Sequence, residues 1–293
     1  MLKQVQHDNL YMKLRVGFIG LGLMGNPMAK SILKNSFPLR VYNRTPKRLE
    51  EFKKLNITIA NSPKELADNV DVIITMITGP QDVEEVYLGN EGISKTFNKN
   101  LIAIDMSTIG PTAIKTIAKK LSFQLLDAPV TGSTYKAKTG ELTIFIGGDK
   151  KTYKKVKPVL EAMGTNLQYM GEQGSAQAIK LINNFLVAST IISLAESMLL
   201  ADTLGLKRQK AADVLATVPA LSPFMQMKLP NVVKENFPVA FSLNNMTKDL
   251  KLAVSETKGK KLQILKQIET LYLKAQKRGL GEEDMSAVMK VLE

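Results

Sequence analysis

Apolar positions follow two regimes along the chain. Up to Gly171 they come in short dense runs, the signature of buried parallel strands. Leu14–Ile19, Leu39–Tyr42, Val72–Ile77, Leu101–Asp105, Phe123–Asp127 and Leu142–Ile146 read as strands. Between them lie polar, helix-compatible stretches, and Ser62-Pro63-Lys64-Glu65 reads as a capped helix start. After Gly171 the strand-like runs stop. Spacing there predicts helices over 175–204, 207–217, 223–236, 244–255, 260–278 and 282–292, the first ending at Gly205. Strands alternating with helices, then helices alone, predict an α/β half followed by an all-α half, joined by a long helix.

The first strand runs into Gly20-Leu21-Gly22-Leu23-Met24-Gly25, and Asn26-Pro27-Met28-Ala29 opens a helix. A glycine turn in that context lets a pyrophosphate approach the backbone, with free helix N–H groups facing the phosphates. The alternative is a glycine turn by chance. The favoured reading makes the α/β half a Rossmann-type doubly wound sheet. The expected division is a polar leader at 1–12, a dinucleotide-binding domain at 13–173, and a helical substrate and oligomerisation domain at 174–293.

The second strand ends at Asn43-Arg44-Thr45. An acid at this point would bond a ribose 2′-hydroxyl. Here an asparagine stands instead, followed by Arg44, with Lys47 and Arg48 near. A guanidinium suits a 2′-phosphate. NADP is therefore favoured; NAD remains open, with Arg44 then stacking on adenine. Loops after later strands add Ser107 and Thr108 as hydroxyl contacts, although Ser107 also reads as a helix N-cap before Pro111. Thr131-Gly132-Ser133 offers backbone N–H groups and two hydroxyls, a candidate carboxylate cradle.

Composition narrows the chemistry. There is no cysteine, and the one histidine, His7, lies in the polar leader. Disulfides, thiolate or multi-histidine metal sites and an imidazole base in the core are thereby excluded. No metal is expected. Attention moves to GSAQAIKLINN at 174–184, where Lys180 and Asn184 fall one helical turn apart on one face. Two readings stand: a snorkelling or salt-bridged lysine beside a hydrogen-bonded asparagine, or a proton-transfer lysine with a substrate-orienting amide.

The net charge of +13 raises the question of an anionic partner. The lysines are dispersed, as in Lys150, Lys151, Lys154, Lys155 and Lys157, a solvated helix face without Arg-rich tracts or interleaved aromatics. No nucleic-acid partner is expected. Phe185–Leu200 is the nearest approach to a spanning helix, but Ser, Thr and Glu196 interrupt it. The leader lacks the apolar core of a secretory signal, and Met12 is an alternative start. No membrane contact and a cytoplasmic location are expected. Tyr153 and Lys157 show the Tyr-x-x-x-Lys spacing of short-chain dehydrogenases, but on an exposed helix and with the wrong glycine spacing for that class.

Taken in order, GFIGLGLMGNPMA at 17–29, DMSTIGP at 105–111, DAPVTGS at 127–133, GSAQAIKLINN at 174–184 and FSLNNMTKDLKLA at 241–253 resemble the β-hydroxyacid dehydrogenase family. The resemblance implies hydride transfer between NADP(H), or NAD(H), and a small β-hydroxy acid or its semialdehyde. It implies that Lys180 is the catalytic lysine and Asn184 binds substrate. Thr131, Gly132 and Ser133 match a substrate loop that is usually Ser-Gly-Gly; threonine keeps the first hydroxyl, and serine adds bulk at the third place. The glycine turn with its Leu21, Leu23 and Met24, the strand end at 43–45, Met76, Ile77, Thr108 and Lys248 match cofactor-contacting positions. A homodimer or homotetramer is implied as well. The alternatives are an NAD-dependent 3-hydroxyisobutyrate dehydrogenase and, from another class, a non-catalytic dinucleotide-binding protein associated with nucleic acid. In the latter the lysine is lost, and Lys180 is present.

Overall fold

The computed structural model describes residues 13–292. The leader, with His7 and Met12, lies outside the described residues. Within them one sheet of nine strands spans the first half. β1 (Val16–Ile19), β2 (Leu39–Tyr42), β3 (Thr58–Ile59), β4 (Val72–Thr75), β5 (Ile102–Asp105) and β6 (Gln124–Asp127) are parallel, in the order β3-β2-β1-β4-β5-β6. β7 (Val130–Thr131), β8 (Leu142–Gly147) and β9 (Gly164–Gly171) extend it. β8 runs antiparallel to β6 and β7 and parallel to β9.

Strand order reverses between β1 and β4, so a crevice opens at their carboxyl ends. Both faces of the sheet are covered. Phe18, Val41, Ile74 and Ile104 pack with Met28 and Ile32 on one side; Ile73, Ala103 and Leu125 pack with Leu66, Ile114 and Ile117 on the other. Every residue of β1 and β4 is buried. That is why these strands read as unbroken apolar runs rather than alternating ones.

The helical half is built on Ser175–Thr203, whose Ala188, Ile191 and Ile192 pack on the helices Leu243–Ser255 and Gln263–Lys277. Further along, Leu194, Ala195 and Met198 meet Leu229 and Val232 of Pro223–Val233. By length and composition this helix would cross a bilayer. Here it is the spine on which the other helices pack.

Four elements depart from the sequence reading. β3 and β7 have two residues each, too short for a period to show. β9, GTNLQYMG, exposes alternate residues and is held by its ladder to β8 more than by apolar burial. The helix expected at 282–292 is instead a 3-10 helix, Met285–Val291. Met285 to Met289 are all buried and only Lys290 is exposed, so the segment shows no amphipathic stripe. The start of Pro63–Asp68 is capped as expected, Glu65 N–H donating to Ser62 Oγ at 3.1 Å.

Candidate functional site

The glycine turn sits at the carboxyl end of β1. Gly20 has φ +95°, and a Cβ there would fall 2.3 Å from the Met76 carbonyl oxygen. A Cβ on Gly25 would lie 1.8 Å from the Gly20 carbonyl, so the helix Gly25–Lys34 can only start this close with glycine. Gly22 differs. Its Cβ would meet nothing but Arg48 Nη1, at 3.2 Å. The backbone there is open on the side where a guanidinium waits, a cradle that fits a pyrophosphate. Leu21 is buried; Leu23 is exposed; Met24 packs partly into the core.

Asn43 is buried and spends its amide on the chain. Its Oδ1 accepts from Leu21 N–H at 2.8 Å, and its Nδ2 donates to the Thr45 carbonyl at 2.9 Å. It fixes the glycine turn against the end of β2. Arg44 is exposed, but its Nη1 lies 2.9 Å from Asp82 Oδ1, in the first turn of the helix Pro80–Leu88. The acid absent from the strand end is thus supplied in space, 38 residues on in sequence.

The loops after β4 and β5 are tied together. Ser107 Oγ accepts from Ile77 N–H at 3.0 Å and donates to Asp105 Oδ1 at 2.8 Å. Thr75 Oγ1 donates to the same Oδ1 at 2.7 Å, while Asp105 Oδ2 is buried without a partner. Burial pushes this carboxyl up to about 7. Ser107 is therefore a buried strut. The N-cap position before Pro111 belongs to Gly110.

Lys180 and Asn184 are both buried on the long helix, with Lys180 Nζ 3.0 Å from Asn184 Oδ1. Asn184 Nδ2 donates to Asp249 Oδ2 at 2.5 Å. Lys248 Nζ donates to Asp249 Oδ1 and to the Thr108 carbonyl, each at 2.6 Å. A continuous polar chain thus runs from Lys180 to the loop after β5. Burial lowers the Lys180 amine to about 8; the Asp249 carboxylate pulls it up, and the Lys248 charge pushes it further down. Of the first reading, the hydrogen-bonded asparagine is present, and no salt bridge among the described residues joins Lys180 to a carboxylate.

Thr131 lies on β7, paired with Thr143 of β8. Gly132 has φ +140°, and Ser133 caps the helix Thr134–Thr139 through Lys136 N–H at 3.5 Å. No hydrogen bond among the described residues joins this loop to Lys180 or Asn184. Sequence reading missed three buried residues. Asp249 was masked by its lysine neighbour. Asp127 ends β6 inside a quoted motif, and Gln177 sits three residues before Lys180 on the same helix face. The signal for Gln177 was that i, i+3 spacing. Among the described residues no group of three or more His, Cys, Asp or Glu could hold a metal.

This geometry has relatives. Residues 15–171 match the NAD-binding domain of 6-phosphogluconate dehydrogenase, and residues 174–292 match a family described as NAD-binding of NADP-dependent 3-hydroxyisobutyrate dehydrogenase. The chain belongs to the β-hydroxyacid dehydrogenase family. Mouse mitochondrial 3-hydroxyisobutyrate dehydrogenase is 36% identical over 292 residues, covering 96% of this chain and 87% of that protein. Chloroplastic glyoxylate/succinic semialdehyde reductase 2 of Arabidopsis thaliana is 32% identical, covering 94% of this chain and 79% of that one. Among solved structures, 3-hydroxyisobutyrate dehydrogenase of Mycobacterium tuberculosis with L-serine superposes with a TM-score of 0.87 at 27% identity, covering 96% of this chain and all of that one (100%). The family's nicotinamide dinucleotide fits the open face of Gly22 and the crevice beside it.

Proposed function

We propose that the protein is an NADP(H)-dependent oxidoreductase acting on a small β-hydroxy acid or its semialdehyde, of the glyoxylate/succinic semialdehyde reductase kind. One observation carries this: a buried lysine with its amine lowered to about 8, joined through Asn184, Asp249 and Lys248 to the loop at Thr108. The bound nicotinamide supplies or takes the hydride. In reduction the Lys180 ammonium gives a proton to the carbonyl oxygen. In oxidation the neutral amine takes the hydroxyl proton. General acid–base help of this kind contributes roughly 10²–10⁴-fold. Asn184 fixes the amine through its Oδ1, and an amide has a second N–H left to offer the substrate. Thr131, Gly132 and Ser133 receive the carboxylate. Gly20 to Gly25, Asn43 to Thr45, Met76, Ile77, Thr108 and Lys248 line the dinucleotide.

Arg44 supports NADP(H). A specific observation also favours NAD(H), as in an NAD-dependent 3-hydroxyisobutyrate dehydrogenase: Asp82, 2.9 Å from Arg44, neutralises the guanidinium and would accept a 2′-hydroxyl bond. Initial rates with NADPH and NADH across glyoxylate, succinic semialdehyde, tartronate semialdehyde and methylmalonate semialdehyde test the whole reading. Asp82→Asn should raise the NADPH-to-NADH ratio of kcat/KM about tenfold, by freeing the guanidinium and removing a charge that opposes phosphate. No turnover of any of these acids with either cofactor would overturn the function. An unchanged ratio in Asp82→Asn would remove Asp82 from the choice between the two cofactors.

A further inference from the structure

The loop at 107–112 carries Thr108 towards the crevice, and its outside anchors come largely from the helical half. Glu256 accepts from Thr112 N–H at 2.9 Å and from its hydroxyl at 2.8 Å, and Lys248 holds the Thr108 carbonyl. The anchor with the most bonds to the loop is Gln177, fully buried. Its Oε1 accepts from Ile109 N–H and Gly110 N–H, both at 3.0 Å, and its Nε2 donates to the Ser107 carbonyl at 2.7 Å.

Only an amide does this. Two N–H groups need an acceptor, and the carbonyl two residues before Ile109 needs a donor. A carboxylate would meet the carbonyl oxygen with like charge. A cation would meet the N–H groups with no acceptor.

Gln177 is also fixed at its other end. Its own N–H donates to Asp127 Oδ2 at 3.0 Å, and Gly174 N–H donates to Asp127 Oδ1 at 2.8 Å. The Asp127 carboxylate at the end of β6 thus seats the first turn of the long helix, where the helix dipole favours negative charge. Lys180 follows one turn later on the same face.

We propose that Gln177 is a positioning residue that sets the loop at 107–110 against Lys180, so that seating the nicotinamide half of the cofactor and aligning the amine are one event. The proposal rests on the reading of this crevice as the dinucleotide site and of Lys180 as the proton-transfer group. Its signature is a split. The adenosine half, held at the glycine turn and the end of β2, does not touch Gln177's loop. The nicotinamide half does depend on it.

The experiment is calorimetric binding of the preferred cofactor and of its matching ADP-ribose fragment to wild type, Gln177→Glu and Gln177→Leu, with rates measured in parallel. The glutamate variant keeps the size and the two accepted bonds and loses the donor; it decides the matter where the leucine variant does not fold. The expected result is a fragment Kd within twofold of wild type, a cofactor Kd raised about tenfold or more, and kcat lowered with little change in the KM of the acid. A cofactor Kd unchanged in the glutamate variant, or a fragment weakened as much as the cofactor, overturns the proposal while leaving the function standing. A wild type that binds neither NADPH nor NADH overturns the site reading and this proposal with it.

Discussion

At the scale of residues, the pH behaviour of one amine follows from its surroundings. Lys180 loses hydration on burial, and that dominates; Asp249 and Lys248 act in opposite directions on what remains. On the proposed mechanism reduction needs the ammonium, so its kcat/KM should fall as pH rises through about 8. Oxidation needs the free amine, so its kcat/KM should fall as pH drops through the same value. Asp249→Asn removes the charge that pulls the amine up, and should move both limbs to lower pH. Rate profiles from pH 6 to 10 in both directions check this. Limbs that move to higher pH in Asp249→Asn would contradict the assignment of the titrating group to Lys180.

Elements show what could be read in advance and what could not. The glycine turn was legible because its context, strand then helix, is written in consecutive residues. The long helix was legible from Ser175 to Thr203 because no glycine or proline interrupts the stretch before Gly205. β9 was not, because an edge strand half exposed carries no dense apolar run. The 3-10 helix Met285–Val291 was not, because a segment buried on most sides has no stripe to reveal its period. In the site, Lys180 and Asn184 announced themselves as polar residues in an apolar helix. Asp82 beside Arg44, and Asp249 beside Asn184, are contacts across 38 and 65 residues that no local pattern encodes.

One face of the long helix leaves apolar side chains exposed. Ile182, Leu186, Leu200 and Leu204 are exposed and fall within roughly 40° of one another at 100° per residue. We propose that this stripe meets a second copy of the chain, consistent with a homodimer or homotetramer. Leu186→Glu with Leu200→Glu should lower the mass measured by light scattering while the far-ultraviolet spectrum stays that of wild type. A wild type that runs as a monomer at micromolar concentration would contradict it.

For the whole molecule, the two halves meet at the loop after β5. The sheet holds the dinucleotide crevice, the helical half holds the amine, and Gln177, Lys248 and Glu256 join them across that loop. This division explains how a chain with no cysteine and no histidine among its described residues can carry out proton-coupled hydride transfer. Burial lowers the amine to about 8, and Asn184 holds it in place. The most direct test is Lys180→Ala, assayed for cofactor binding and for reduction of the best aldehyde acid. The account predicts a cofactor Kd within a few-fold of wild type and a kcat lowered by about 10²-fold or more. Near-normal turnover in a variant that still binds cofactor would contradict it.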